Sequence, residues 1–309
     1  MTDNIAFIFP GQGSQHIGMG EEIIKNYPLK DDIMGTASQI LGFDLEKLCL
    51  NGPEERLNNT RNTQPAVYTI SYLLFQVLLQ EGVKPKIVAG HSLGEYSALA
   101  AADVFSFIDG LRLVRQRGIL MDDVSKNNTG TMAAVIGLEK GKIDSICNHI
   151  QGVCEIANYN TPEQTVISGE KKAVDIVTDE LEKEGAKKIV KLKVSGPFHS
   201  SMMSSAREMF RPIIKGIKFK KPEYKFIANV NAGYVDDPDE IKNLLIRQIT
   251  ESVRWVETVQ LMINDGYNTF IEVGPGRVLK GLLRRIDRSV KVYNFRDAGD
   301  LRKVIDKIK

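Results

Sequence analysis

The sequence has few cysteines, almost no net charge and no long apolar run, and each shortage excludes a class of protein. The three cysteines, Cys49, Cys147 and Cys154, show no C-x-x-C spacing, so they predict no disulfide scaffold and fit a reducing compartment. The 41 basic and 39 acidic side chains nearly cancel, which argues against a nucleic-acid-binding protein. The longest mainly apolar segment, residues 68–79, is too short to span a bilayer. Because no basic and then apolar leader follows Met1, we expect a cytoplasmic protein without a membrane partner.

The length and the order of apolar segments predict an α/β protein with an insertion. A chain of 309 residues that is 42% hydrophobic can bury a core larger than that of a single small fold. Short apolar runs that alternate with helical segments are typical of a largely parallel sheet, and they occur at residues 5–9, 86–89, 226–230, 270–273 and 290–295. Residues 128–196 instead show the order βαββαβ, which is the ferredoxin-like pattern. We therefore predict a main domain of residues 1–127 and 197–309, and an inserted subdomain of residues 128–196.

The segment Gly90-His91-Ser92-Leu93-Gly94 has the G-x-S-x-G pattern of a nucleophile elbow. In such an elbow, a serine on a tight strand-to-helix turn projects its hydroxyl out of the sheet. The backbone N–H of the next residue, here Leu93, then points at the developing oxyanion. An apolar strand precedes the segment and the Ala-rich residues 95–102 follow it, as the elbow requires. The alternative is a glycine-flanked turn whose serine only caps a helix.

A nucleophilic serine needs a base, and the chain has four histidines. His91 adjoins Ser92 and points elsewhere, while His149 lies late in an amphipathic helix of the predicted insertion, where a structural role is expected. His199 lies in a Pro-containing turn before a helix, which favours a fixed base. His16, in a Gly-rich loop, stays open as the alternative.

The loop Gly11-Gln12-Gly13 follows the first strand and resembles the start of a dinucleotide-binding fingerprint. His16 stands where the third glycine of that fingerprint belongs, so the dinucleotide interpretation is weak. A glycine-rich loop at the carboxyl end of a strand can instead present a backbone N–H to an anion, as an acyl-transfer site requires. Gln12 is the candidate donor.

Arg117 and Met121 lie four residues apart on one predicted helix and therefore share a face. Arg117 either faces solvent or reaches inward to bind a carboxylate through a bidentate fork. The inward orientation would make the Arg117 side chain select a substrate that carries a carboxylate. Burying a lone guanidinium costs several kcal/mol, which a substrate carboxylate offsets and a methyl group does not.

Five motifs occur in one order along nearly the whole chain. They are Phe9-Pro10-Gly11-Gln12-Gly13-Ser14-Gln15, Gly90-His91-Ser92-Leu93-Gly94-Glu95-Tyr96-Ser97, Arg117-Gly118, Gly196-Pro197-Phe198-His199-Ser200 and Glu272-Val273-Gly274-Pro275-Gly276. Together they resemble the malonyl-CoA:acyl-carrier-protein transacylases. The resemblance implies a hydrolase-like α/β catalytic domain with an inserted ferredoxin-like subdomain. It also implies a ping-pong transfer of malonyl from malonyl-CoA to the phosphopantetheine thiol of acyl carrier protein, with no further cofactor and no metal.

The resemblance assigns the reacting groups residue by residue. It makes Ser92 the nucleophile that carries the malonyl ester and His199 the general base. The backbone N–H groups of Gln12 and Leu93 match the oxyanion hole of the family. Gln248 matches the position whose main-chain carbonyl orients the histidine, which gives a Ser-His dyad without a catalytic acid.

The resemblance also implies a set of substrate contacts. Arg117 matches the arginine that pairs with the malonyl carboxylate, and Phe198 matches the malonyl-selecting form of its motif. Gln64 matches a pocket-lining position, although a helix-start residue suits that position equally well. Met121 and His91 complete the expected substrate-binding set.

Two basic segments are candidate docking surfaces for the carrier protein. Residues 277–309 hold eleven Lys or Arg against four Asp, and residues 215–225 hold five Lys against one Glu. Such runs are usually solvated helix faces, but the carrier proteins of this pathway are acidic.

Three kinds of function stay open at this stage, on a chain that we expect to be monomeric. The first is acyl transfer to a carrier protein, in fatty-acid synthesis or as the free-standing acyltransferase of a polyketide synthase. The second is an acyl-thioester serine hydrolase on the same scaffold, because Ser92 and His199 would also serve water. The third is a non-catalytic anion binder that uses the Gln12 loop.

Overall fold

The structure is a computed structural model that describes residues 4–308, apart from the side chain of Lys30. Residues 1–3 lie outside the described residues, and the predicted absence of a leader rests partly on them. Residue 309 of the basic C-terminal segment also lies outside the described residues. None of the helices within residues 4–308 combines the length and the apolar character that crossing a membrane requires.

A five-stranded parallel sheet forms the centre of the molecule. Its strands, in the order β7-β2-β1-β8-β9, are β1 (Ile5–Phe9), β2 (Ile87–Gly90), β7 (Lys225–Phe226), β8 (Thr269–Val273) and β9 (Lys291–Phe295). In β1, Phe7 and Phe9 face one buried cluster, whereas Ala6 and Ile8 face another. Because both faces of the sheet are covered, its central strand is a continuous apolar run rather than an alternating one.

Helices cover the two faces of this sheet. They are α1 (Glu21–Asn26), α2 (Leu29–Leu41), α3 (Leu45–Asn51), α4 (Glu54–Asn58), α5 (Thr60–Gln80), α6 (Gly94–Ala101), α7 (Phe107–Asn127), α10 (Ser204–Lys215), α11 (Pro238–Gln248), α12 (Trp255–Asn264), α13 (Val278–Ile286) and α14 (Ala298–Ile308). The long helices α5 and α7 pack against each other beside the sheet.

Helix α5 begins at Thr60, and its N-terminal cap is Asn59, whose side chain accepts a hydrogen bond from the N–H of Arg61 at 3.2 Å. The helix runs through Pro65, which has no N–H to donate to the carbonyl of Arg61. Arg115 donates to that carbonyl instead, at 2.6 Å, so a tertiary contact compensates for the missing donor.

A separate antiparallel sheet of four strands carries the βαββαβ order expected from the sequence. Its elements are β3 (Gly130–Ile136), α8 (Lys140–His149), β4 (Cys154–Thr161), β5 (Gln164–Glu170), α9 (Lys171–Lys183) and β6 (Lys188–Lys191), with the strand order β4-β5-β3-β6. The fold class, a parallel α/β sheet with an inserted ferredoxin-like subdomain, is thus confirmed. The domain boundaries at 127/128 and 196/197 stay predictions.

The segment that enters the small sheet and the segment that leaves it are in contact. A Cβ built on Gly130 would come 2.3 Å from the ring of Pro197, and one built on Gly196 would come 1.9 Å from Oγ of Ser125. The outer edge of β4 also hydrogen-bonds to the main domain, since Val253 N donates to the carbonyl of Ala157 at 2.8 Å. These contacts fix the small sheet beside the main one.

Candidate active site

A sharp elbow joins β2 to α6 and carries Ser92. The backbone of Ser92 has a φ of 51°, in the left-handed region that non-glycine residues seldom adopt. A Cβ on Gly90 would lie 1.9 Å from the carbonyl carbon of Gly94, and a Cβ on Gly94 would lie 2.0 Å from the carbonyl oxygen of Phe9. The two glycines are therefore required by close backbone contacts, and the G-x-S-x-G pattern has the strand-to-helix setting that it predicts.

Asn229 holds this elbow in place, and the sequence did not single it out. Its Oδ1 accepts a hydrogen bond from Ser92 N at 2.8 Å, and its Nδ2 donates to the carbonyl of Gly90 at 2.7 Å. The strand predicted at residues 226–230 ends at Phe226, because the following residues fold back and Ala228 N bonds to the carbonyl of Gly233. That departure from the sheet brings the Asn229 amide to the elbow.

His199 lies against Ser92, in a turn where its own φ is 57°. Its Nε2 is 2.8 Å from Ser92 Oγ, and its Nδ1 is 2.7 Å from the main-chain carbonyl of Gln248. A carbonyl can only accept, so Nδ1 carries the proton and the lone pair of Nε2 faces the serine hydroxyl. Burial, and then the positive charge of Arg117, lower the pKa of His199 to about 3, so the imidazole is neutral at pH 7.

The fold places the candidate histidines differently. His16 is exposed, and its Nδ1 lies 3.3 Å from the carbonyl of Ser14. His149 is also exposed, on α8, with its Nδ1 2.6 Å from the carbonyl of Ser145. It is His199 that the fold brings to Ser92.

The guanidinium of Arg117 reaches inward from α7 and is 1% exposed. Its Nη2 lies 3.1 Å from Ser92 Oγ and 3.0 Å from Oε1 of Gln248, and its Nη1 lies 2.9 Å from Oε1 of Gln64. Arg117 also lies over the Tyr96 ring, 5.5 Å from its centre. Within residues 4–308 these hydrogen-bond partners are all neutral and Nε has none. The buried cation therefore faces Ser92 without a hydrogen-bonded carboxylate, although the buried acid Glu95 interacts with it electrostatically.

Gln64 and Met121 complete the surroundings of this guanidinium. Both side chains are buried, and Gln64 Nε2 lies 3.7 Å from the sulfur of Met121. Gln64 is thus an interior residue of α5 and not a helix-start residue. Phe198, which precedes His199, is also buried.

Gln248 connects several of these groups, and through it the site includes a buried acid that the sequence did not predict. The side-chain amide of Gln248 donates to the carbonyl of Ser92 at 3.0 Å and to Oε2 of Glu95. The other carboxyl oxygen of Glu95 accepts from Asn229 N at 3.2 Å. Burial raises the pKa of Glu95 to about 8. The pattern of apolar residues in an Ala-rich helix cannot predict a buried glutamate, because a charged residue normally lies on the exposed face.

The loop after β1 packs against the elbow. A Cβ on Gly11 would lie 2.4 Å from the carbonyl oxygen of His91 and 3.7 Å from Leu93 N, so only glycine permits this approach. Among residues 4–308, the backbone N–H groups of Gln12 and Leu93 have no acceptor. Free N–H donors on two adjoining loops are the arrangement that a developing oxyanion requires.

His91 connects the elbow to the small sheet. Its Nε2 lies 2.8 Å from Oδ1 of Asn160 on β4, and its ring meets the Trp255 ring edge-on, with centres 5.5 Å apart. The expected contact of His91 with the substrate stays a prediction. The described residues contain no cluster of three or more side chains that could hold a metal ion.

Comparison with known proteins places this geometry in a family. The model of the acyl transferase domain matches residues 6–303. A malonyl CoA-acyl carrier protein transacylase of Staphylococcus aureus (strain MW2) is 38% identical over 300 residues, which cover 96% of this chain and 97% of that protein.

Solved structures agree over the same length. An acyl carrier protein S-malonyltransferase from Vibrio cholerae superposes with a TM-score of 0.95 at 39% identity, covering 98% of this chain and 100% of that chain. A malonyl-transacylase solved in complex with its type II polyketide-synthase acyl-carrier protein has a TM-score of 0.96 at 38% identity, covering 99% and 100%. This chain therefore belongs to the acyl transferase family, among the malonyl CoA-acyl carrier protein transacylases.

Proposed function

We propose that this enzyme transfers the malonyl group of malonyl-CoA to the phosphopantetheine thiol of acyl carrier protein through a malonyl ester on Ser92. The observation that carries the proposal is the buried Arg117 guanidinium, 3.1 Å from Ser92 Oγ and held only by neutral groups. A desolvated cation to which no carboxylate is hydrogen-bonded is suited to an acyl group that brings its own carboxylate.

In the first half-reaction Ser92 attacks the malonyl thioester. His199 Nε2 takes the hydroxyl proton, while the carbonyl of Gln248 keeps the Nδ1 proton in place, so the pair acts as a Ser-His dyad. The N–H groups of Gln12 and Leu93 stabilise the oxyanion of the tetrahedral intermediate. The thiol of CoA then leaves with the proton from His199.

In the second half-reaction the phosphopantetheine thiol of the carrier protein attacks the malonyl ester. His199 takes the thiol proton and returns it to Ser92 Oγ as the ester bond breaks. The same oxyanion donors serve both steps, because both pass through a tetrahedral intermediate at the same carbonyl carbon. No further cofactor or metal takes part in this sequence.

Arg117 gives the reaction its preference for malonyl over acetyl groups. The malonyl carboxylate pairs with the guanidinium, and Gln64, Met121 and Phe198 surround that end of the acyl group. Because the charge of Arg117 is one of the causes that lower the pKa of His199, a bound carboxylate also restores basicity to the imidazole. Acetyl-CoA offers neither effect and should be a poor donor.

The basic surface near α13 is the proposed docking site for the acidic carrier protein. A cavity of about 430 Å³ there has a single acid, Asp300, which is paired with Arg296, and its other basic lining residues are Arg277, Lys280, Arg284 and Lys303. In residues 215–225, by contrast, Lys220 and Lys221 are already paired with Asp103 and Asp236. Reversing the charges of Lys280, Arg284 and Arg285 should raise KM for carrier protein and leave KM for malonyl-CoA near its wild-type value. An unchanged KM for carrier protein would rule out this docking site.

The comparisons favour neither the hydrolase nor the polyketide alternative. Monomeric assembly and cytoplasmic location are part of the same proposal. The even overall charge fits a freely diffusing enzyme.

The experiment that tests the proposal is mass spectrometry of the acyl-enzyme. Wild-type protein is mixed with malonyl-CoA, and the peptide that contains Ser92 is expected to gain one malonyl group. Ser92→Ala and His199→Ala should show no such gain. Ser201→Ala is the matched control, because this exposed serine lies two residues after His199 and is not at the elbow.

Addition of carrier protein then separates transfer from hydrolysis. The malonyl mass should move from Ser92 to the phosphopantetheine of the carrier. Loss of the ester to free malonate at the same rate with and without carrier would identify a hydrolase. A malonyl group on another residue would overturn the role of Ser92.

A further inference from the structure

Two of the three cysteines lie side by side, although their spacing in the sequence gave no sign of it. Cys147 is on α8 and Cys154 is the first residue of β4, and their sulfur atoms are 3.8 Å apart. The turn between them contains Gly152, whose φ of 96° suits glycine. A disulfide would shorten the sulfur separation to about 2.0 Å, so the pair is within reach of bond formation.

Both thiols line a cavity that connects them to solvent and to the catalytic base. Each cysteine is 5% exposed, but both contribute to the wall of a cavity of about 630 Å³ that also includes His199. Other parts of that wall are polar, including Lys140 and Arg254. A small polar molecule can therefore reach these thiols in the folded protein. Cys49 on α3 differs, because it is fully buried in another cluster and is not part of this cavity wall.

The strand that begins with Cys154 supports the segments on either side of the base. Glu155 Oε2 accepts a hydrogen bond from Ser201 N at 2.6 Å, two residues after His199. Farther along the strand, Ala157 accepts from Val253 N at 2.8 Å, in the segment that follows Gln248. A change in the position of residues 154–157 thus reaches His199 by two routes.

We propose that Cys147 and Cys154 form a dithiol site that a small disulfide, such as an oxidised low-molecular-weight thiol, closes to a protein disulfide, and that closure slows the acylation of Ser92. The contact with Cys147, and then burial, raises the pKa of the Cys154 thiol, so Cys154 must lose its proton before it can attack. The Cys147 thiolate attacks one sulfur of the small disulfide and expels one thiolate. Cys154, on losing its proton, attacks the sulfur of Cys147 and expels the second thiolate. The protein dithiol is oxidised by two electrons, and the small disulfide is reduced to two thiols that take up the two protons.

The test exposes the folded protein to oxidised glutathione and then traps the remaining thiols with N-ethylmaleimide. Peptide mass mapping is expected to find one disulfide between Cys147 and Cys154, with Cys49 alkylated only after denaturation. The rate of malonyl-ester formation on Ser92 should fall roughly tenfold, which is less than the ~100-fold that a 1 Å misplacement of a catalytic group can cost. Dithiothreitol should restore the rate.

Cysteine variants distinguish the effect of this disulfide from general oxidative damage to the protein. Cys147→Ser should keep its rate in oxidised glutathione, and Cys154→Ser should stop at a mixed disulfide between Cys147 and glutathione, which the peptide map detects. The control Cys49→Ser should lose rate as the wild type does. The rate measurement rests on the proposed function, whereas the peptide mass map of the disulfide does not. If the reduced enzyme forms the malonyl ester, the proposed function holds whatever the oxidation experiment shows. Thiols that stay free in the folded wild type, or a disulfide that leaves the rate unchanged, would overturn the proposal.

Discussion

The parallel sheet and the antiparallel sheet contribute to the site in different ways. Ser92 follows β2, the Gln12 loop follows β1 and Asn229 follows β7, so the carboxyl edge of the parallel sheet supplies the nucleophile and its supports. The antiparallel sheet supplies Asn160 and Glu155, which bond to His91 and to the backbone of Ser201. Ser92, the Gln12 loop and Asn229 therefore lie at one sheet edge, where strand ends and helix starts converge, and the other sheet contacts the residues beside them.

The place of the insertion in the chain explains this division. α7, which carries Arg117, leads into the small sheet, and the turn that carries His199 follows its last strand, β6. The insertion thus lies between Arg117 and His199 in the chain, and its contacts affect where the returning chain places His199. Substitutions at the edge of the parallel sheet should cost more activity than substitutions in the small sheet.

The largest effect among the supporting residues is expected for Asn229→Ala. The change removes both hydrogen bonds that hold the Ser92 elbow and leaves Ser92 N and the Gly90 carbonyl without their partner. We expect kcat to fall roughly 100-fold, as for a nucleophile that is misplaced by about 1 Å. Stopped-flow acylation by malonyl-CoA measures this. Asn231→Ala is the matched control, because Asn231 is an exposed asparagine nearby whose side chain only accepts from Gly233 N. Equal losses for the two variants would contradict the role of Asn229.

The buried base should also make stability depend on pH. The pKa of His199 is about 3 in the folded protein, whereas an unfolded histidine titrates near 6.5. Below pH 6.5 the unfolded chain binds a proton that the folded site refuses, so stability falls as the pH drops toward 3 and is independent of this group above 6.5. The expected slope is about 1.4 kcal/mol per pH unit. Urea unfolding of wild type and His199→Ala between pH 7.5 and 4.5 isolates it, and identical slopes in the two proteins would contradict the assignment.

The smallest effect is expected in the small sheet, for Asn160→Ala. The side chain of Asn160 bonds to His91 and not to Ser92 or His199, so its removal costs about 1 kcal/mol, or roughly fivefold in rate. The kcat of the transfer reaction, measured beside that of Asn229→Ala, checks the contrast between the two sheets. A loss as large as that of Asn229→Ala would show that the small sheet contributes more than positioning.

The sequence predicted the parts of the fold that depend on local pattern. Strands β1, β2, β8 and β9 were expected within one residue of their observed ends, since their apolar runs are bounded by turn residues. The strand predicted at residues 226–230 was mostly wrong, because it ends where Asn229 is drawn to the elbow by tertiary hydrogen bonds. Apolar periodicity contains no information about such contacts.

The site shows the same limit. The elbow glycines and Ser92 follow from a local motif, but sequence chemistry could not exclude His16, because proximity to Ser92 is a tertiary property. Glu95 was missed since its partner Gln248 is distant in the chain, and the adjacent thiols of Cys147 and Cys154 were missed since a helix and a strand bring them together. What local pattern leaves undetermined is which distant polar groups meet in the interior.

The most direct test of the account measures acylation of Ser92 by malonyl-CoA and by acetyl-CoA in wild type, in Arg117→Ala and in the control Arg112→Ala, whose arginine is exposed on the same helix. The account predicts that Arg117→Ala lowers kcat/KM for malonyl-CoA by about 100-fold or more, the effect of a lost buried charge pair, and leaves the value for acetyl-CoA equal or higher. Equal losses for both acyl groups would contradict the claim that Arg117 binds the malonyl carboxylate.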